Sequence, residues 1–201
     1  MVLNYAGHGG EDGGAVGVDG IIEKDINLAI ALKLKNLLEV SGYEVIMTRE
    51  KDQAIYDNSA KSLREKKRSD LRNRMGIINK NKEENTVFVS IHQNKFPNPK
   101  YFGTQIFYSV NNPQSQELAT KLKDSIVGLI QPENDREIKP SNEKIYLLHN
   151  AQIPAVIVEC GFLSNEQEAK KLTNEKYQTD ISFSIYCGIT DYFLNVLSNN
   201  T

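Results

Sequence analysis

Four residues with metal-ligating or proton-transferring side chains lie far apart in the sequence, each close to the end of a predicted strand or helix. His8 lies in the glycine-rich stretch LNYAGHGGEDGGAVG and is one of only three histidines. His92 ends the apolar run TVFVSIH, Glu159 follows the run AVIV, and Glu23 opens a predicted helix. Two imidazoles and one carboxylate form a ligand set of catalytic zinc sites, which leave one position open for water. The residue types therefore indicate a metal site at which a further carboxylate accepts a proton from water.

Predicted strands and helices alternate along the chain, which is the pattern of an α/β fold. Strands are predicted at 2–5, 43–49, 86–92, 103–109, 145–149 and 155–161, and helices at 23–42, 62–82, 113–130, 165–173 and 176–197. We expect a single domain, residues 1–201, with a mostly parallel twisted sheet and helices on both faces. Ligands bind beyond the carboxyl ends of the strands in such sheets, so the four residues should meet at one edge.

The residue pattern does not show which carboxylate is the metal ligand, because either Glu23 or Glu159 completes the set. Structural roles also compete with the metal site. A strand-end histidine is often only hydrogen-bonded, and Glu23 suits the positive end of a helix. Glu159 is harder to explain in this way, because a carboxylate after four apolar residues of a buried strand should not stay unpaired.

Other candidate residues favour structural roles. Cys160 is expected to be a packed small hydrophobic side chain on the opposite side of its strand. His149 could partner a cysteine nucleophile, but nothing marks an oxyanion hole beside it. Arg64, Arg68 and Arg72 are spaced by four and predict a solvated helix face. GGEDGG lacks the Gly-Lys-Ser/Thr ending of a phosphate-binding loop.

Composition excludes several classes of protein. A net charge of −2 gives no electrostatic case for a partner nucleic acid. No run approaches the roughly 20 apolar residues of a membrane span, and two cysteines are too few for a disulfide scaffold. The start of the chain has neither the charged nor the apolar region of a signal peptide. We therefore expect either a cytoplasmic protein or one whose signal segment has been removed.

Several stretches together resemble a known family. They are AGHGGEDGGAVG, EKDINLAIALKLKNLLEVSGYEVIMTR, RMGIIN, SIHQN and IPAVIVECGFLSN, in this order. Their order and spacing resemble those of the zinc-dependent N-acetylmuramoyl-L-alanine amidases of the bacterial cell wall, the third amidase family. The resemblance spans almost the whole chain, and a catalytic domain without wall-binding repeats is most similar to the spore-cortex, germination-related branch.

The resemblance implies a role for each of the four residues. His8, Glu23 and His92 match the zinc ligands, and Glu159 matches the catalytic glutamate. The implied reaction is hydrolysis of the amide that joins the lactyl group of N-acetylmuramic acid to L-alanine in peptidoglycan. It also implies an extracytoplasmic location and a signal segment upstream of this chain. Two alternatives use the same residues: a zinc peptidase that cuts within the stem peptide, and a non-catalytic peptidoglycan-binding protein.

One departure from the family concerns the two residues before GHGG. The family usually has Asp-Pro there, whereas this chain has Tyr5 and Ala6. A carboxylate beside a metal-binding histidine orients the ring and raises its basicity. We therefore expect weak support for His8 and incomplete zinc binding until an activating or localising partner protein docks.

Overall fold

A six-stranded sheet forms the centre of the computed structural model, which describes residues 1–199. Its strands are β1 (Val2–Ala6), β2 (Val45–Met47), β3 (Val87–Asn94), β4 (Gln105–Tyr108), β5 (Lys139–Pro140) and β6 (Ala155–Phe162), in the spatial order β2-β1-β3-β6-β4-β5. β1 is parallel to β2 and β3, and β3 is parallel to β6. β4 runs antiparallel to β6 and parallel to β5. The predicted mostly parallel sheet is confirmed.

Helices cover both faces of the sheet, as predicted. One face packs against α1 (Glu23–Val40), α3 (Gln114–Ile130) and α6 (Glu175–Asn199), and the other against α2 (Leu63–Lys80) and α4 (Tyr146–Asn150). α5 (Glu166–Thr173) packs against β6 and α6. Alternate strand residues enter the two cores: Val89 and Val158 face the larger one, and Phe88 and Ile157 the smaller one.

The apolar stripe of α1 sets the direction in which its first residue points. Ile26, Ile30, Leu34 and Leu38 are all buried against the sheet. Residues three and four apart share one face of a helix, so Glu23 lies on the same face, three residues before Ile26. The carboxylate therefore points to the edge of the sheet at which β1 and β3 end.

The strand predicted at 145–149 is wrong, because this segment forms α4. Leu147 and Leu148 are both buried in the smaller core, whereas adjacent residues of a strand would point to opposite faces. A short apolar run does not distinguish a buried strand from a buried helix. β5 lies within the segment 131–144, for which no strand was predicted. Within the described residues, every helix is too short or too polar to span a lipid bilayer.

Candidate metal centre

Three of the four residues singled out in the sequence come together at the carboxyl edge of the sheet. His8 follows β1, Glu23 is the first residue of α1, and His92 lies near the end of β3. One nitrogen or oxygen atom from each of them lies within 4.8 Å of the atoms from the other two. Ligands around one cation must surround a common point, and this group has the spacing to do so.

The carboxylate of Glu23 lies between the two imidazoles. Its Oε2 is 3.3 Å from His8 Nε2, and its Oε1 is 3.0 Å from His92 Nδ1. The backbone N–H of Ala15 donates to Oε2 over 2.8 Å, and that of Gln93 donates to Oε1 over 3.1 Å. Burial raises the pKa of Glu23, but hydrogen bonds from both histidines outweigh it and hold the pKa well below its usual range. The carboxylate is therefore ionised and fixed in position.

His8 has an acidic partner that the sequence analysis missed. Asp12 Oδ2 lies 2.9 Å from His8 Nδ1, so the carboxylate comes from four residues after the histidine. Neither Tyr5 nor Ala6 supplies a carboxylate to His8. Because Asp12 does, the expectation of weak support for His8 is wrong. Burial lowers the pKa of His8, but the hydrogen bonds to Asp12 and Glu23 outweigh it and raise the pKa to about 9.

The glycine-rich loop brings its backbone against these side chains. A Cβ atom at Gly7 would lie 2.4 Å from His92 Cε1, and one at Gly14 would lie 2.5 Å from Glu23 Oε2. Gly14 also has a positive φ of 72°, a conformation that glycine adopts without steric cost. Side chains at these two positions would occupy the space that Glu23 and His92 take.

Glu159 lies opposite His92 in the ladder between β3 and β6, outside the group of three. Its Oε2 is buried and has no hydrogen-bond partner among residues 1–199. Burial, together with the negative charge of Glu23, raises the pKa of Glu159 to about 8. The two carboxylates that the sequence left open therefore differ: Glu23 is hydrogen-bonded to both histidines, and Glu159 presents an unpaired oxygen.

Comparison with known proteins identifies the family. The sequence matches a family model described as N-acetylmuramoyl-L-alanine amidase over residues 2–191. The chain belongs to the N-acetylmuramoyl-L-alanine amidase family. Family membership confirms the resemblance seen in the motifs and makes this protein an amidase that acts on peptidoglycan.

Individual relatives of the amidase cover most of its length. The germination-specific N-acetylmuramoyl-L-alanine amidase of Bacillus subtilis (strain 168) is 38% identical over 187 residues, which is 93% of this chain and 77% of the relative. The solved CwlD amidase from Clostridioides difficile, in complex with the GerS lipoprotein, is 45% identical with a TM-score of 0.91 and covers 96% and 97% of the two chains. The catalytic domain of CwlV from Bacillus (Paenibacillus) polymyxa var. colistinus is 30% identical with a TM-score of 0.77, at the same coverage.

Two buried arginines of the amidase hold the backbone that carries the first histidine. Arg49 donates to the carbonyl oxygens of Ala6 and Gly7, each over 3.1 Å. Arg74 donates to the carbonyl oxygen of His8 over 3.1 Å and is fully buried. Neither arginine was predicted to have this role. Arg74 had a usable signal, because it adjoins apolar residues at the helical spacing of the buried face of α2.

The other residues singled out in the sequence lie outside the group of three at the metal centre. Cys160 is buried in the larger core, on the side of β6 opposite the smaller one, as predicted. Arg64, Arg68 and Arg72 are exposed on α2, which confirms the solvated face. His149 is exposed near the end of α4 and lies outside the cleft that opens beside the metal centre.

Proposed function

We propose that this amidase hydrolyses the bond between N-acetylmuramic acid and L-alanine with a zinc ion held by His8, Glu23 and His92. The observation that carries the proposal is the grouping of their ligand atoms within 4.8 Å, with Glu159 beside them. Two imidazoles and one carboxylate suit zinc and leave a coordination position open. The hydrogen bond between His8 and Asp12 also fits, because a metal-binding imidazole commonly donates its second N–H to a carboxylate.

Zinc at this centre would polarise the substrate carbonyl and make water easier to deprotonate. In the proposed reaction, the Glu159 carboxylate accepts a proton from the attacking water, whose oxygen bonds to the carbonyl carbon. The carbon–nitrogen bond then breaks, and Glu159 delivers the proton to the nitrogen of the departing alanine. The products are the lactyl carboxylate and a free amino terminus, and the glutamate is ionised again. A carboxylate whose pKa is raised by burial suits both transfers.

The proposed setting is the spore cortex, outside the cytoplasm. The support for it is the relative from Bacillus subtilis, which is described as germination-specific and covers 93% of this chain. The substrate is consistent with this setting, because peptidoglycan is a cell-wall polymer. We propose residues 1–201 as the catalytic domain for this role.

A partner protein is part of the proposal. The Clostridioides difficile amidase, which is 45% identical, was solved in complex with a lipoprotein. By this likeness, a protein that docks on the present chain would localise or activate it. A partner is not needed to support His8, because Asp12 supplies that support.

Digestion of purified peptidoglycan tests the proposed reaction. The zinc-loaded protein should release glycan strands and stem peptides whose new amino terminus is L-alanine, with about one zinc ion per chain by elemental analysis. A new amino terminus at a later residue would instead show a peptidase. Binding to the polymer without any new amino terminus would show a non-catalytic binding protein. Either of these results would overturn the proposed function.

A further inference from the structure

A cleft of about 330 Å³ runs from the metal centre between α2 and α4. His8 and His92 lie at one part of its lining, and much of the rest is apolar. The apolar side chains include Leu63, Leu71, Ile145, Leu147 and Ile157. The volume lies at the low end of the range of about 300–1,000 Å³ that is usual for small-molecule sites. The cleft therefore suits a short, compact part of the substrate.

Among the charged side chains of the cleft, every carboxylate is already paired. The pairs are Glu11 with Lys66 (2.8 Å), Asp12 with Lys67 (2.9 Å) and Asp70 with Arg74. Lys144 also lines the cleft, and no carboxylate within residues 1–199 forms an ion pair with it. The cleft wall therefore carries one ammonium group that forms no ion pair in the described part of the chain.

The backbone of Lys144 is fixed while its side chain is exposed. Its N–H donates to Asn142 Oδ1 over 3.0 Å, and the next N–H, of Ile145, donates to the Asn142 carbonyl over 3.1 Å. Ile145 packs against the smaller core and anchors the turn before α4. A well-placed backbone thus presents an unpaired ammonium group to the cleft.

We propose that Lys144 binds a carboxylate of the stem peptide and so directs the peptide arm of the substrate into this cleft. The inference rests on the proposed function. In that substrate the lactyl carboxyl group is consumed in the amide bond, and the N-acetylated sugars are uncharged. Negative charge next to the scissile bond therefore belongs to the peptide arm. The ammonium group of Lys144 and the apolar side chains that line the cleft bind the peptide arm. The glycan strand remains outside the cleft.

Charge variants of Lys144 test the inference on two forms of peptidoglycan. One form keeps its peptide carboxylates, and the other has them converted to amides with carbodiimide and ammonia. Lys144→Ala should lower kcat/KM on the acidic form about 5-fold, the upper end for an exposed ion pair. Lys144→Glu should lower it further, Lys144→Arg should retain most of it, and all variants should be alike on the amidated form. The difference should shrink as salt screens the interaction.

Lys82→Glu is the matched control, because Lys82 is also an exposed lysine next to a glutamate and lies outside the cleft. It should behave like the wild type on both forms. Equal kcat/KM for Lys144→Glu and the wild type on the acidic form would overturn the inference, as would equal losses on both forms.

Binding of the peptide product separates this inference from the proposed reaction. An L-alanyl peptide with free carboxylates should bind the wild type more tightly than Lys144→Ala by calorimetry, again by about 5-fold. If the wild type generates no L-alanine amino termini but this difference holds, the proposed reaction fails and the peptide site stands. If hydrolysis proceeds and the two affinities are equal, the reaction stands and the role of Lys144 is wrong.

Discussion

At the scale of single residues, the centre is a continuous hydrogen-bonded chain. It runs from Asp12 through His8 to Glu23 and on to His92. Asp12 contacts His8 Nδ1, and Glu23 contacts both His8 Nε2 and His92 Nδ1. His8 therefore offers Nε2, and His92 offers Nδ1, toward the same carboxylate. This choice of ring atoms depends on side-chain contacts that residue spacing alone does not reveal.

The first prediction concerns the carboxylate that orients His8. Asp12→Asn removes a charged acceptor while it keeps the size of the side chain. Loss of such a partner commonly weakens metal binding by about 10–100-fold. We expect a loss of this size in zinc affinity, measured by competition with a chelator. Asp19→Asn, an exposed change in the same loop, should leave zinc affinity unaltered. Unchanged affinity in Asp12→Asn would show that His8 does not depend on this contact.

The second prediction separates the proposed base from the ligands. Glu159→Gln should reduce hydrolysis by roughly 10²–10⁴-fold, the usual contribution of general acid–base catalysis. Zinc content should stay at the wild-type level, because Glu159 lies outside the ligand group. Thermal stability should not fall, since the variant removes an ionisable group whose buried Oε2 has no hydrogen-bond partner within residues 1–199.

The measurement for Glu159→Gln combines elemental analysis with the rate of release of L-alanine amino termini. A variant that is active at the wild-type rate would remove Glu159 from the mechanism. A variant that has lost its zinc would make Glu159 a ligand instead.

At the scale of elements, α2 stabilises an unfavourable conformation of the loop that follows β1. His8 has a positive φ of 62°, which costs an L-amino acid roughly 1–2 kcal/mol. Arg74 offsets this cost from α2: it donates to the His8 carbonyl, pairs with Asp70 and lies 4.4 Å from the centre of the Tyr5 ring. Tyr5 thus takes part in holding the loop even though it is not an acidic residue.

The third prediction tests this support from α2. Arg74→Ala leaves Asp70 without its buried partner, a change that typically costs about 3–5 kcal/mol. We expect a loss of that size in the free energy of unfolding by urea titration, together with weaker zinc binding by the folded protein. Arg72→Ala, on the exposed face of the same helix, should stay within about 0.5 kcal/mol. Equal zinc affinity in folded Arg74→Ala and the wild type would limit Arg74 to stability.

Sequence patterns predicted long elements well and short ones poorly. α1 and α3 follow from their apolar periodicity, and β3 and β6 from buried β-branched runs. The segment 145–149 is too short to show a helical or a strand periodicity of apolar residues. β5 has only two residues, and both are exposed. α4 forms because both Leu147 and Leu148 are buried in the smaller core. That burial depends on the tertiary fold and not on the local sequence.

Only part of the candidate site was predictable from the sequence. Strand ends brought His8 and His92 to one edge because parallel strands end together. The sequence does not show that Glu23 contacts both histidines and Glu159 does not, because this depends on the rotation of α1 and on the position of Glu159 in β6. Asp12 was not identified because its contact depends on the left-handed backbone at His8, which the sequence does not reveal.

At the scale of the whole molecule, the centre lies where three separate parts of the fold meet. The loop after β1, the start of α1 and the end of β3 each contribute one residue of the proposed ligand group, which consists of His8, Glu23 and His92. The antiparallel strand β4 begins at the same edge, where Gln105 pairs with Glu159 in the ladder. An ion bound by all three parts would therefore cross-link the sheet to its larger helical layer.

Metal removal tests this cross-link, because a ligand that binds only the folded chain raises the free energy of unfolding. The gain is about 2.7 kcal/mol when free zinc exceeds Kd by 100-fold. Each kcal/mol shifts Tm by about 2–4 °C in a domain of this size. We therefore expect a chelator to lower the Tm of the zinc-loaded protein by about 5–11 °C in calorimetry. His8→Ala removes one ligand, so its Tm should respond little to zinc or chelator. An equal Tm for the wild type with excess zinc and with chelator would show that no zinc ion joins these three parts of the fold.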